Sequence, residues 1–140
     1  MQEEDVKQKL KTFREAKRKY EAVRIQLEEC ETMITSVNFD YSKERVQTSP
    51  EMDKLADVID RLSYLRNRCI EQADEAVRCM EEVKMLIDCV DGRMRDLLTR
   101  RYIKGETWER IAVETNRSWN STHRLHRQAL KKIAETVKLV

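Results

Sequence analysis

A chain of 140 residues suits one domain or two very small ones, and 39% charged residues with two Gly, one Pro and 6% aromatics leave few strand formers. An all-α chain of long, heavily solvated helices is expected. An enzyme-sized core is not, because extended helices bury little surface per residue. The net charge of +2 is uneven: residues 93–140 hold 12 Lys+Arg against 5 Asp+Glu, net +7, whereas residues 1–92 hold 16 against 21, net −5. That asymmetry points to a polyanionic partner at the C-terminal end alone.

The first helix is expected over about residues 3–36. Val6, Leu10, Phe13, Ala16, Tyr20, Val23, Leu27, Cys30, Ile34 and Val37 step by threes and fours with charge between them. The mean step is near the coiled-coil period of about 3.5, and one pair of consecutive three-residue steps marks a register fault. The polar stretch "NFDYSKERVQTSPE" carries no periodicity. Ser49-Pro50 closes it as a helix start, with Ser as N-cap and Pro at the first helical position. The loop over residues 38–50 is long for a helix–helix link, which suits either motion or a function of its own.

The second helix is expected over about residues 50–90, with the same spacing in Leu55, Ile59, Leu62, Leu65, Cys69, Ala73, Ala76, Met80, Val83, Ile87 and Val90. Two helices of similar length joined by a loop pack most simply as an antiparallel hairpin, here residues 1–91. Val58, Tyr64, Ile70 and Val77 fall off the seam and suit a homo-oligomer face, a dimer being simplest; ordinary exposure or packing on the C-terminal helices is the alternative. Asp91-Gly92 breaks the pattern, and three shorter helices follow in a second domain, residues 92–140. The first spans about 93–103 with Met94, Leu97, Leu98 and Tyr102 inward. Lys104-Gly105 turns the chain, and the second spans 107–115 with Trp108, Ile111 and Ala112 inward. The third starts at Ser118 as N-cap and runs to about 137, with Thr122, Leu125, Ala129, Ile133 and Val137 inward.

The turn Asn116-Arg117-Ser118 has the length used by a helix-turn-helix. With that inner stripe, Trp119, Asn120, His123, Arg124, Arg127 and Lys131 face out. Trp119, Asn120, His123 and Arg124 lie in the first two turns, where a recognition helix meets base edges. Arg pairs bidentately with guanine and Asn with adenine. Arg127, Lys131 and Lys132 lie further along and suit phosphate, and Arg100, Arg101, Lys104, Arg110 and Arg117 are placed to flank them on the DNA backbone. His123 at a phosphate or base would tighten binding as pH falls. The bland alternative is a basic amphipathic helix that is only solvated, with Trp119 capping a local apolar cluster.

Other chemistries find little footing. His123 and His126 form H-x-x-H without a carboxylate or Cys beside them, and Cys30, Cys69, Cys79 and Cys89 contain no C-x-x-C pair. Ten helical residues rotate roughly 280°, so the evenly spaced last three cysteines do not share a face. No metal and no cofactor are expected. Reduced cysteines, the lack of a long apolar run and the lack of a signal peptide lead to an expectation of a cytoplasmic protein without membrane contact. There is no Gly-rich phosphate loop and no acid/His/nucleophile set, so an enzyme is not expected.

The stretch "RRYIKGETWERIAVETNRSWNSTHRLHRQALKKI" resembles region 4 of the primary bacterial sigma factors, which grips the −35 promoter element. The resemblance rests on Thr107, Glu109, Ile111-Ala112, the turn at Asn116-Arg117, Ser118 and the closing Ala129-Leu130-Lys131-Lys132-Ile133, in register without a gap. It places base reading on Trp119, Asn120, His123 and Arg124. Arg110 stands at the second acidic place of the pattern, Arg117 where an aliphatic is usual, and Thr122 where Val or Ile is usual. The whole chain is similar to small phage and prophage proteins of Gram-positive bacteria that join a helical hairpin to such a module. "ERVQTSPEMDKLAD" resembles their interhelical loop. That resemblance implies a DNA-binding regulator of phage transcription in the bacterial host cytoplasm, akin to late-gene activators of the ArpU and RinA kind. RNA polymerase is then a possible second partner. An adaptor that binds polymerase without touching DNA, and the DNA-recognition (small) subunit of a phage packaging machine, fit the same sequence.

Overall fold

The computed structural model describes residues 2–36 and 50–138, and among them the fold is all-helical with no strand. The expectations for the interhelical loop, for Val37 and for Ser49 as a cap lie outside the described residues. The α-helices are α1 (Glu3–Leu10), α2 (Thr12–Ser36), α3 (Pro50–Ile87), α4 (Gly92–Leu98), α5 (Trp108–Glu114) and α6 (Trp119–Lys138), with a π-helical turn at Thr99–Ile103 between α4 and α5. No helix among the described residues is long and apolar enough to cross a membrane.

The break between α1 and α2 falls at Lys11, inside the Leu10–Phe13–Ala16 pair of three-residue steps. The backbone N–H of Lys11 is shared between the carbonyls of Lys7 and Gln8, each at 3.2 Å, so the helix tightens there without ending. α1 opens with Glu3, Glu4 and Asp5, whose charge suits the positive end of a helix dipole. The carboxylate of Asp5 accepts from the backbone N–H of Gln2 at 3.1 Å. α3 stops at Ile87, three residues short of the expected end, and Val90 is nevertheless buried beyond it.

The described residues divide into two compact units, one of residues 1–16 with 75–140 and one of residues 17–74, so the division does not fall at the expected 91/92 boundary. The reason lies in the larger unit's core. Val6 and Leu10 of α1 and Val83 and Ile87 of α3 share one buried cluster with Leu98, Tyr102, Leu130 and Ile133. Each fully buried aliphatic of this kind stabilises by about 1.5–3 kcal/mol, so these segments belong with the C-terminal helices. A smaller cluster of Ala16, Ala76 and Cys79 adjoins Phe13.

The unit of residues 17–74 holds a leaner core. Val23, Cys30 and Leu65 are buried, with Leu27, Val58, Leu62 and Cys69 packed partly against them. The expected seam is shifted here: Val58 joins the core and Ile59 points outward, about half exposed. A strict 3.5-residue count from Leu62 falls between positions 58 and 59, and the partner side chains settle which turns in. Tyr64 and Ile70 are exposed as expected, and so is Val77 in the other unit. All four cysteines are unbridged thiols.

Candidate nucleic-acid interface

The turn between α5 and α6 is built by a left-handed residue. Asn116 has φ of 53°, a conformation that Asn tolerates better than most side chains. The N–H of Arg117 reaches the carbonyl of Ala112 at 2.9 Å, and that of Asn116 reaches Val113 at 3.2 Å. This pair of bonds is a Schellman ending, which satisfies the last carbonyls of α5 and reverses the chain in three residues. Both helices start on side-chain caps: Thr107 Oγ1 accepts from the N–H of Arg110 at 3.2 Å, and Ser118 Oγ from that of Ser121 at 3.1 Å. Such caps are worth about 1 kcal/mol each. Gly105, with φ of 72°, makes the preceding turn.

Ile111 and Ala112 bury the inner face of α5, and the small Ala lets the helices approach. The two departures at Arg117 and Thr122 are accommodated. Thr122 is fully buried, and its hydroxyl donates to the Ser118 carbonyl at 2.9 Å, so the polar atom is satisfied within the helix. Arg117 is half-buried and contributes its backbone N–H to the turn.

α6 buries more than one stripe. Thr122, Ala129 and Ile133 are inward as expected, and Leu125 and Val137 are partly so. His126, Leu130 and Ala134 are also buried, forming a second inner row that the sequence reading missed. α1 packs on α6 and supplies the cover for that row, with Val6 and Leu10 in the same cluster as Leu130 and Ala134. The 126–130–134 spacing was visible as a four-residue row, but nothing local says that a helix from the chain's other end covers it.

What remains outside is a narrow face. Asn120, Arg124, Arg127 and Lys131, stepping by four, three and four, are all exposed, as is Lys132 on its flank. None of the four cations is in an ion pair with a described residue, and the same holds for Lys104 and Arg117. Trp119 is about half exposed at the head of the helix.

His123 departs from its expected outward position. It sits half-buried between two indoles, its ring centroid 4.7 Å from that of Trp108 and 4.4 Å from that of Trp119. Its Nε2 is enclosed without a hydrogen-bond partner. Two inward-leaning aromatics account for the turn of the ring, because stacking there buries more apolar surface than facing water. His126 lies deeper, with Nε2 2.7 Å from the Tyr102 hydroxyl and its ring 4.7 Å from Trp108. Burial, then the electrostatic influence of Lys7, His123, Arg101 and Lys11, pushes His126 down to about 4, and burial pushes Tyr102 up to about 12. The pair is therefore neutral at pH 7, as a buried hydrogen bond of two uncharged groups.

Two expected backbone-contacting arginines are already engaged. Arg100 forms ion pairs with Asp96 at 3.0 Å, Glu106 at 3.4 Å and Glu114, while Arg110 pairs with Glu114 at 2.9 Å. The hydrogen bonds to Asp96 and Glu114 hold the Arg100 guanidinium above its ordinary range, and those from Arg110 and Arg100 hold the Glu114 carboxyl below its own. Arg100 ties the π-helical turn to α5 and Arg110 is held along α5 itself, so neither stands free for phosphate. Arg101 is half-buried over the Trp108 ring at 4.8 Å, with Nη1 donating to the Glu106 carbonyl at 3.0 Å. Among the described residues no group of three or more His, Cys, Asp or Glu is placed to hold a metal ion. Comparison with protein-family models, curated proteins and solved structures finds no match to this chain.

Proposed function

We propose that this chain is a sequence-specific DNA-binding regulator of phage or prophage transcription, with α5 and α6 acting as a helix-turn-helix of the sigma region 4 kind. The observation that carries the reading is the outer face of α6. Asn120 and Arg124 stand in its first two turns with Arg127 and Lys131 behind them, all exposed and the three cations without ion pairs to described residues. Base edges would be read by Asn120 and Arg124, with Trp119 against a thymine methyl or base face. Arg127, Lys131, Lys132, Lys104 and Arg117 would meet phosphates. His123 acts here as a wedge that sets the indoles of Trp108 and Trp119, not as a base contact. The helices before this module would form a hairpin that mediates self-association or contact with RNA polymerase, and the exposed Tyr64 and Ile70 suit the former.

A salt titration of duplex binding, read by fluorescence anisotropy, tests this. Some four or five phosphate contacts predict log Kd rising with log salt with a slope of about 4. A second reading, an adaptor that binds polymerase and never touches DNA, draws on exposed Val113 and Trp119, apolar groups that suit a protein groove. It predicts no measurable duplex binding at any salt. A ring-sized assembly in solution would instead favour the DNA-recognition subunit of a packaging machine.

A further inference from the structure

A second feature of the larger unit is independent of the α6 outer face. Beside Trp108 lies a cavity of about 190 Å³, lined by the cations Lys7, Lys11, Arg14 and Arg101 and the rings of Tyr102, Trp108, His123 and His126. No carboxylate lines it, and none of the four cations is in an ion pair with a described residue. The charge of Glu4 is felt at Tyr102 and that of Glu109 at Arg101.

Such a cluster of cations carries an electrostatic cost of its own. Like charges at close range repel, and burial makes the repulsion stronger. Burial and then Arg14 hold the Arg101 guanidinium below its ordinary range, and Lys7, Arg101 and Lys11 weigh on His126. A buried polar atom without a partner is also costly, and the enclosed Nε2 of His123 is one. An anion in the cavity would offset the repulsion, and in the tautomer with a proton on Nε2 it would also accept from His123. Its space equals that of roughly six water molecules at liquid volume, which fits a tetrahedral oxyanion with part of its water shell.

We propose that this cavity is a binding site for a phosphate group, held by Lys7, Lys11, Arg14 and Arg101 over the Trp108 wall. Three of these residues come from the first 14 of the chain, so the ligand would fasten α1 and the start of α2 to the α6 side of the same unit. The proposal does not rest on the reading of α6 as a DNA-recognition helix. The phosphate has two sources, a free phosphate-bearing small molecule or a phosphodiester of duplex DNA.

The test uses the full chain with inorganic phosphate as the probe, against chloride at matched ionic strength. Binding is read by tryptophan fluorescence and by Tm. Saturable quenching or enhancement with a rise in Tm is expected for phosphate alone. Lys11→Gln and Arg14→Gln should each weaken phosphate binding at least about tenfold, as expected for loss of one charge-assisted bond. Lys84→Gln, exposed on α3 and outside the cavity, should not. Duplex binding by the same variants identifies the source. A parallel loss there, with competition by free phosphate, supports a DNA phosphodiester; unchanged duplex binding supports a free ligand. If phosphate acts no differently from chloride and both folded cavity variants bind duplex like the parent, the proposal is overturned.

Discussion

The outer and inner faces of α6 draw on similar residue types and put them to opposite uses. Outside, Asn120, Arg124, Arg127 and Lys131 meet only water. Inside, His126 is stripped of its charge by burial and neighbouring cations, and it is held in a buried hydrogen bond to Tyr102, whose ring belongs to the main core cluster. A polar group on one face is therefore available to a partner, and on the other it is a fixed part of the packing. Four substitutions separate these roles.

The largest effect is expected inside. Ile133 is fully buried in the main cluster, and Ile133→Ala should lower unfolding free energy by about 2–5 kcal/mol in urea denaturation. A loss within the noise of the measurement would show that α6 is not part of one packed core. Next comes the outer face. Arg124→Ala should weaken binding to the preferred duplex by about 1–3 kcal/mol and relax one base position, while stability stays within about 0.5 kcal/mol of the parent. If stability falls with binding, the two faces are not separable.

The third concerns pH. His126 titrates near 6.5 when unfolded and near about 4 when folded, so the unfolded chain binds the extra proton first. Stability should then fall as pH drops from about 6.5 towards about 4, by up to about 1.4 kcal/mol per pH unit. His126→Gln keeps a partner for Tyr102 and removes the titration. Its stability curve should be flatter over that window, and parallel curves would argue against a buried neutral imidazole. The smallest effect is at Thr122, whose hydroxyl only bonds back to a carbonyl that already accepts the residue's own N–H at 3.0 Å. Thr122→Val should raise stability by up to about 1 kcal/mol without altering duplex binding, as thermal melts and anisotropy would show.

Local chemistry was readable from the sequence where the cause was local. The turn at Gly105, the cap at Ser118 and the tight turn at Asn116 all follow from what those residues do to their own backbone. The register fault near Lys11 was visible as two short steps in the apolar row. What the sequence hid came from distant neighbours. His126, Leu130 and Ala134 look like a polar–apolar mixture until α1 covers them. His123 turns inward because Trp108 and Trp119 converge on it from two elements. Arg110 was listable as a free cation only by ignoring Glu114 four residues on, whereas the reach of Arg100 to that same carboxylate, 14 residues away, needs the fold.

The same limit governs where the compact units divide. Hydrophobic period alone assigns Val6, Leu10, Val83 and Ile87 to a two-helix seam, because a helix stripe reports that it is buried and not by what. Packing on the C-terminal helices gives these residues a wider core than a seam would, and the compact unit follows the core.

The central claim is that the outer face of α6 reads DNA sequence. Selection from randomised duplex DNA at near-physiological salt, followed by sequencing, tests it most directly when run in parallel on the parent chain and on Arg124→Ala. An enriched motif that loses one position in the variant is the predicted result, and its symmetry would report monomer or dimer. No enrichment by the folded parent, or an identical motif from both proteins, would contradict it.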